Sequence, residues 1–179
     1  MLFGDVTTFA IECDNIRFIQ SDAYANFRFI AAGNRIGDFD DRVLLCGCVN
    51  WGLNSLNHCG QRYEEAFDGM SKSELYFIIH ECLRNIEARC TVEKMGFDPS
   101  DLYHRFVLDD VGMSAFEDKV GVVLVETKSG YDRLIWSSYD ESLVNEVTIP
   151  NGGYERAVRG FLTWMDGEFG VSAGPRQGS

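Results

Sequence analysis

The chain has 179 residues, 45% of them hydrophobic and 13% aromatic, with 28 acidic against 16 basic side chains for a formal net charge of −12. That apolar content is ample for a buried core and excludes disorder as the default, and no apolar run approaches the ~18–20 residues of a membrane-spanning helix. The charge argues against nucleic acid or an anionic membrane as partner and favours a basic one.

The N-terminal Met1-Leu2-Phe3-Gly4-Asp5 lacks the basic region and apolar run of a secretory leader, so a cytoplasmic location is expected. Residues 9–19, FAIECDNIRFI, mix β-branched and aromatic side chains in partial alternation and predict a strand, bulged near Asp14-Asn15. A connection is expected over 21–26 and a second strand over 27–30. Gly33-Asn34 is a turn dipeptide that closes a hairpin onto Arg35-Ile36. An acidic corner follows, Gly37-Asp38-Phe39-Asp40-Asp41, and beyond it the hydrophobic period lengthens. Leu45, Cys48, Val49, Gly52, Leu53 and Leu56 line one face of a helix, for which Asp40 or Asp41 is placed as N-cap. Gly52 inside that helix predicts close packing.

Ser71-Lys72-Ser73-Glu74 is a capping box and predicts a second helix running to about Cys90. Gly96-Phe97-Asp98-Pro99-Ser100 breaks the chain, and 103–108 is expected to be a short strand. Residues 119–127, KVGVVLVET, have the composition of a central strand; Ser129-Gly130 turns it onto 131–137, and 143–149 alternates as a third strand. After Pro150-Asn151-Gly152-Gly153, Tyr154, Ala157, Phe161 and Met165 mark a last helix. Strands joined by hairpins rather than crossovers predict an α+β fold, a mainly antiparallel sheet with about three helices. A single domain is expected over 1–170, with 171–179 a flexible tail.

Chemistry-bearing patterns are few. Asp38 and Asp40 invite comparison with the paired aspartates of magnesium-dependent phosphoryl-transfer enzymes, but Asp41 and Arg42 stand where that motif needs Thr or Val. Cys46, Cys48, His58 and Cys59 would suffice for zinc, yet Cys46 and Cys48 point about 200° apart on a helix. The six cysteines, including Cys13, Cys82 and Cys90, read as reduced, buried thiols rather than a disulfide framework. His80 and Cys82 cannot share a helical face, and His104 stands alone. No phosphate-binding glycine loop is present. No cofactor and no catalytic residue are expected. What remains is a set of acidic clusters, several beside large aromatics: Asp38/Asp40/Asp41, Asp109/Asp110, Glu117/Asp118, Asp140/Glu141 and Asp166/Glu168, with Phe39, Phe116, Tyr139 and Trp164. Acids around aromatic anchors suit a basic protein partner.

Gly4-Asp5 with Thr8-Phe9-Ala10-Ile11-Glu12, then Phe27-Arg28-Phe29 and Ile36-Gly37-Asp38-Phe39-Asp40-Asp41, resembles the bacterial immunity protein 42 family. The resemblance implies an α+β protein without an active site that neutralises a polymorphic toxin of contact-dependent competition. It further implies that the partner is the C-terminal domain of that toxin, a nuclease or nucleotide-hydrolysing enzyme with a basic cleft. An adaptor for a partner other than a toxin is the remaining reading of an acidic interaction protein.

Overall fold

A computed structural model describes residues 1–109, 111, 116, 119–138 and 143–170. The N-terminal meander is a sheet of β1 (Leu2–Gly4), β2 (Phe9–Ile19), β3 (Asp22–Ala31), β4 (Asn34–Ile36) and β5 (Arg42–Leu44), all pairs antiparallel. The order is β1-β2-β3-β4, and β5 also lies on β3, beside Tyr24–Asn26. The expected bulge is present. Register shifts between Asp14 and Arg17, with Asn15 in the left-handed region at φ 53°. Residues 22–26, expected as a connection, extend the second strand instead, because the reversal is completed at Gln20 and Ser21. The hairpin after it turns one residue earlier than expected. Ala31 pairs with Asn34, so Ala32 and Gly33, at φ 47° and 79°, form the two-residue turn whose positive φ values match strand twist.

A second antiparallel sheet holds β6 (Val120–Val125), β7 (Tyr131–Ser138) and β8 (Val144–Pro150) in chain order. All six residues of β6 are buried because both faces of this sheet are covered. Val122, Leu124, Leu134 and Trp136 join the core of the first sheet with α1 (Leu45–Asn57) and α5 (Gly153–Phe169). Val123, Val125 and Ile135 pack against α2 (Lys72–His80), α3 (Ile86–Lys94) and α4 (Pro99–Phe106). A two-faced burial gives the continuous apolar run that alternation would otherwise interrupt. The first core is rich in rings: Phe29 lies 4.7 Å from Phe116, Phe9 5.1 Å from Tyr154, and Phe27 5.5 Å from Phe161. Gly52 lets α1 approach α5 closely; a Cβ there would lie 3.2 Å from Leu162 Cδ2.

The α+β class holds, with two sheets and five helices rather than about three. Two features account for the helices missed. The helix opened by the Ser71 capping box stops at His80, and Asn85 caps a separate helix by accepting from Glu87 N–H at 2.8 Å and Ala88 N–H at 3.3 Å. Residues 103–106, expected as strand, are helical. Asp98 accepts from Ser100 and Asp101 N–H (2.8 and 2.9 Å) and Pro99 occupies the first turn, where a missing N–H costs nothing. Only Val107 then bridges to Val123.

Candidate functional site

The acidic corner begins where Gly37 (φ 98°) brings the backbone against the Phe116 ring, whose Cζ would stand 2.9 Å from an added Cβ. Asp38 accepts from Asp40 N–H at 3.0 Å and from Lys119 Nζ at 2.6 Å; Lys119 also donates to Asp41. Lys119 holds the Asp38 carboxyl below its ordinary range, and Asp38 and Asp41 push the Lys119 ammonium up to about 12. The Phe39 carbonyl accepts from Asn26, and the Arg28 guanidinium sits 4.2 Å over the Phe39 ring while pairing with Glu12 at 2.6 Å.

The expected capping role is not what these acids do. Residues 42–44 first pair with β3, so α1 starts at Leu45 with Leu44 as its N-cap and no side-chain cap. Asp38 instead closes a local turn and, with Asp41, docks the corner on Lys119. In the geometry of the Asp38/Asp40 magnesium reading, the Lys119 ammonium stands at the Asp38 carboxylate as counter-ion. Asp40 is the exposed acid of the three, with no ion pair among the described residues.

Two described residues of the second half reach the corner. Phe116 packs on Gly37, Lys119 pairs with Asp38, and Val120 lies opposite Ser138. Phe116 and Lys119 thus sit beside Gly37 and Asp38. Asp110, Glu117, Asp118, Asp140 and Glu141 themselves lie outside the described residues. Asp109 is described, and it is turned inward. Its Oδ2 is 2.8 Å from Nε2 of the fully buried His80, whose Nδ1 is 2.9 Å from Glu81. Burial pushes the His80 imidazole down, but the Asp109 and Glu81 carboxylates outweigh it and hold the ring above its ordinary 6.5. In the imidazolium form both ring nitrogens donate, one to each carboxylate.

Tyr76 stacks on that ring at 4.8 Å, and both fit over β6 because residue 121 has no side chain. A Cβ on Gly121 would stand 2.2 Å from the Tyr76 hydroxyl and 2.5 Å from His80 Nε2. Gly121→Ala is therefore expected to destabilise the protein by roughly 1–3 kcal/mol, as overpacking does, read as a lower denaturant midpoint. A variant as stable as the parent would show that the His80 ring is free to move.

A further charged cluster is invisible in the sequence. Arg62, 1% exposed, donates from Nε to the Arg105 carbonyl at 2.7 Å and from Nη2 to the Ser55 carbonyl and hydroxyl at 2.6 and 3.0 Å. Its Nη1 faces Glu126 and Glu155 at 3.8 Å each. Glu126 comes from the end of β6 and accepts from Gly60 and Arg62 N–H at 2.8 and 3.1 Å; Glu155 comes from the first turn of α5. Asp132 on β7 is buried nearby, and burial, then Glu155 and Glu126, push its carboxyl up to about 7. The Ser55 hydroxyl also bonds the buried Tyr154 hydroxyl at 2.6 Å. No local pattern announces these residues, since each partner is distant in the chain.

All six cysteines are free. Cys13, Cys48 and Cys82 are buried as expected, whereas Cys46 and Cys59 are exposed and Cys90 is half-buried. Cys48 donates to the Val111 carbonyl at 3.4 Å and faces the core, so it does not converge with Cys46, His58 and Cys59.

Among the described residues, then, Lys119 engages Asp38 and Asp41, His80 engages Asp109, and Arg62 faces Glu126 and Glu155 without a side-chain hydrogen bond to either. Two antiparallel sheets with five helices and an acidic corner define the class as a compactly paired, acidic α+β protein. The chain belongs to the immunity protein 42 family, whose model matches residues 1–164. Its fold is similar to the crystal structure of CdiI from Burkholderia dolosa AUO158, at 20% identity and a TM-score of 0.66 over 92% of this chain and 99% of that one. No curated protein matches the chain.

Proposed function

We propose that this chain is a contact-dependent inhibition immunity protein that binds and neutralises its cognate toxin domain in the cytoplasm by non-covalent association, without turnover. The observation that carries this reading is the match to the immunity protein 42 family across residues 1–164. The similarity of fold to a CdiI protein agrees with it. Residues 1–170 act as one domain. The partner is the C-terminal domain of the toxin, with a basic cleft of the kind a nuclease or nucleotide-hydrolysing enzyme carries; a net charge of −12 favours that complementarity. Neither nucleic acid nor membrane is a partner, and among the described residues no helix is long and apolar enough to cross a bilayer.

The binding face is assigned to the acidic clusters Asp38, Asp40, Asp41, Glu117, Asp118, Asp140 and Glu141, with Asp110. Asp109 contributes less directly, because its carboxylate is bonded to His80. The test is purification of the chain with the toxin domain encoded beside it, together with loss of toxin activity on mixing. If the two neither bind nor inhibit at micromolar concentration, the reading fails. Association is expected to slow as salt rises from about 50 to 500 mM, over which the screening length falls roughly threefold. Reversing Asp140 and Glu141 to lysine is expected to slow it by about tenfold at low salt. Salt-independent rates would remove the electrostatic part of the assignment and leave binding itself intact.

A further inference from the structure

The sulfur of Cys59 and one carboxylate oxygen each from Glu126 and Glu155 lie within 4.8 Å of one another. They come from three places in the fold: the loop after α1, the end of β6 and the first turn of α5. Tetrahedral zinc with one sulfur and two oxygen ligands needs S···O separations of about 3.6 Å, so side-chain rotation of about 1 Å closes the set. Proximity alone would not make this a site. The state of the surrounding charges does.

Arg62 is the counter-ion of both glutamates, but the hydrogen bonds of its fork go elsewhere. Nε and Nη2 serve Arg105 and Ser55, and Nη1, which faces the two glutamates, has no hydrogen-bond partner and stands 3.8 Å from each. Glu155 is 6% exposed, and its Oε2 has no partner either. Asp132, 1% exposed, leaves Oδ1 unpartnered beside them. Three buried or half-buried carboxyl groups thus share one guanidinium that hydrogen-bonds none of them through its side chain. Orphaned carboxylate oxygens at this depth are costly unless something meets them.

We propose that Cys59, Glu126 and Glu155 bind a divalent cation of the zinc class. The mixed sulfur and oxygen donors suit zinc better than magnesium or calcium, which take oxygen alone. Charge closes as well. A thiolate and two carboxylates balance the dication and Arg62. Glu126 is already oriented by the Gly60 and Arg62 amides, the kind of outer support that fixes a ligand in place. The exposure of Cys59 supplies the entry path, and water completes the fourth position. Binding transfers the thiol proton of Cys59 to solvent and forms the metal–sulfur bond, with no change of oxidation state. The cation then staples the loop after α1 to the second sheet and α5, and does so whether or not a toxin is bound.

The test uses the full chain, stripped with a chelator and titrated with cobalt(II), whose thiolate complexes give a charge-transfer band in the near ultraviolet. About one equivalent is expected to bind, to be displaced by zinc, and to raise the thermal midpoint. Cys59→Ser, a change at an exposed position, is expected to abolish the band while leaving the circular dichroism spectrum unchanged. Cys46→Ser, at the other exposed cysteine, is expected to keep the band. No band in the parent chain, or a band that survives Cys59→Ser, overturns the proposal.

Discussion

Replacing Arg62 with alanine is expected to lower stability by roughly 3–5 kcal/mol, the range for removing one partner of a buried charge network. The side chain holds three elements at once. It caps the end of α1 through the Ser55 carbonyl, anchors α4 through the Arg105 carbonyl, and supplies the positive charge facing Glu126 and Glu155. It also lies against the Tyr154 ring, 5.7 Å from guanidinium carbon to centroid. Alanine would remove the guanidinium donor from two carbonyls, of which Ser55 keeps only the His58 N–H, and leave two carboxylates without a counter-ion, in a space too polar to collapse. Arg62→Lys is expected to recover only part of the loss, because a single ammonium cannot reach Ser55 and Arg105 in the geometry of the planar fork. Denaturant unfolding with an unchanged slope reads the effect directly. A loss below about 1 kcal/mol would mean that water meets these groups in place of Arg62, since exposed pairs contribute that little.

How this cluster escapes sequence reading is instructive beside what does not escape it. The β2 strand with its bulge, the Ser71 capping box, the Val120 run and the last helix all rest on neighbours within a few residues, so periodicity and capping chemistry reveal them. The break at Gly96–Ser100 was visible, but Asp98-Pro99 has two readings, a stop and a start. The start wins because Asp98 finds the free N–H groups of Ser100 and Asp101. The corner at 37–41 is legible as an acidic turn, whereas its role depends on Lys119, 81 positions from Asp38, which no local rule brings there. Arg62 is the extreme case. Cys59-Gly60-Gln61-Arg62-Tyr63 has no period, and the partners of Arg62 reach from Ser55 on α1 to Glu155 on α5. Only the packing of the second sheet with three helices gathers them.

The same cluster predicts an inverted dependence of stability on pH. The Asp132 carboxyl, ordinarily near 3.8, is pushed up to about 7 by its burial and by Glu155 and Glu126, with the Thr127 backbone and Arg62 pulling the other way. Below about pH 4 the carboxyl is protonated in both folded and unfolded chains and costs nothing. Between 4 and 7 the fold retains a proton that the unfolded chain has released, so stability falls as pH rises, by up to about 4 kcal/mol, and then levels off. His80 acts in the same sense. Its imidazolium, faced by Asp109, Glu81 and the Tyr76 ring, contributes stability that is complete below 6.5 and is lost as pH rises through its raised value. Chelator-treated protein, free of any cation at Cys59, is therefore expected to unfold at a lower denaturant concentration at pH 8.5 than at pH 5.5. Asp132→Asn keeps the shape and removes the charge, placing an amide beside Glu126 and Glu155. It is expected to be more stable than the parent at pH 8.5 by roughly 2–4 kcal/mol and to match it closely near pH 4. The residual slope in that variant then belongs to His80, and His80→Gln in the same background is expected to flatten it. Parallel profiles for Asp132→Asn and the parent would show that Asp132 ionises at its ordinary value and that solvent reaches the carboxyl behind Glu155.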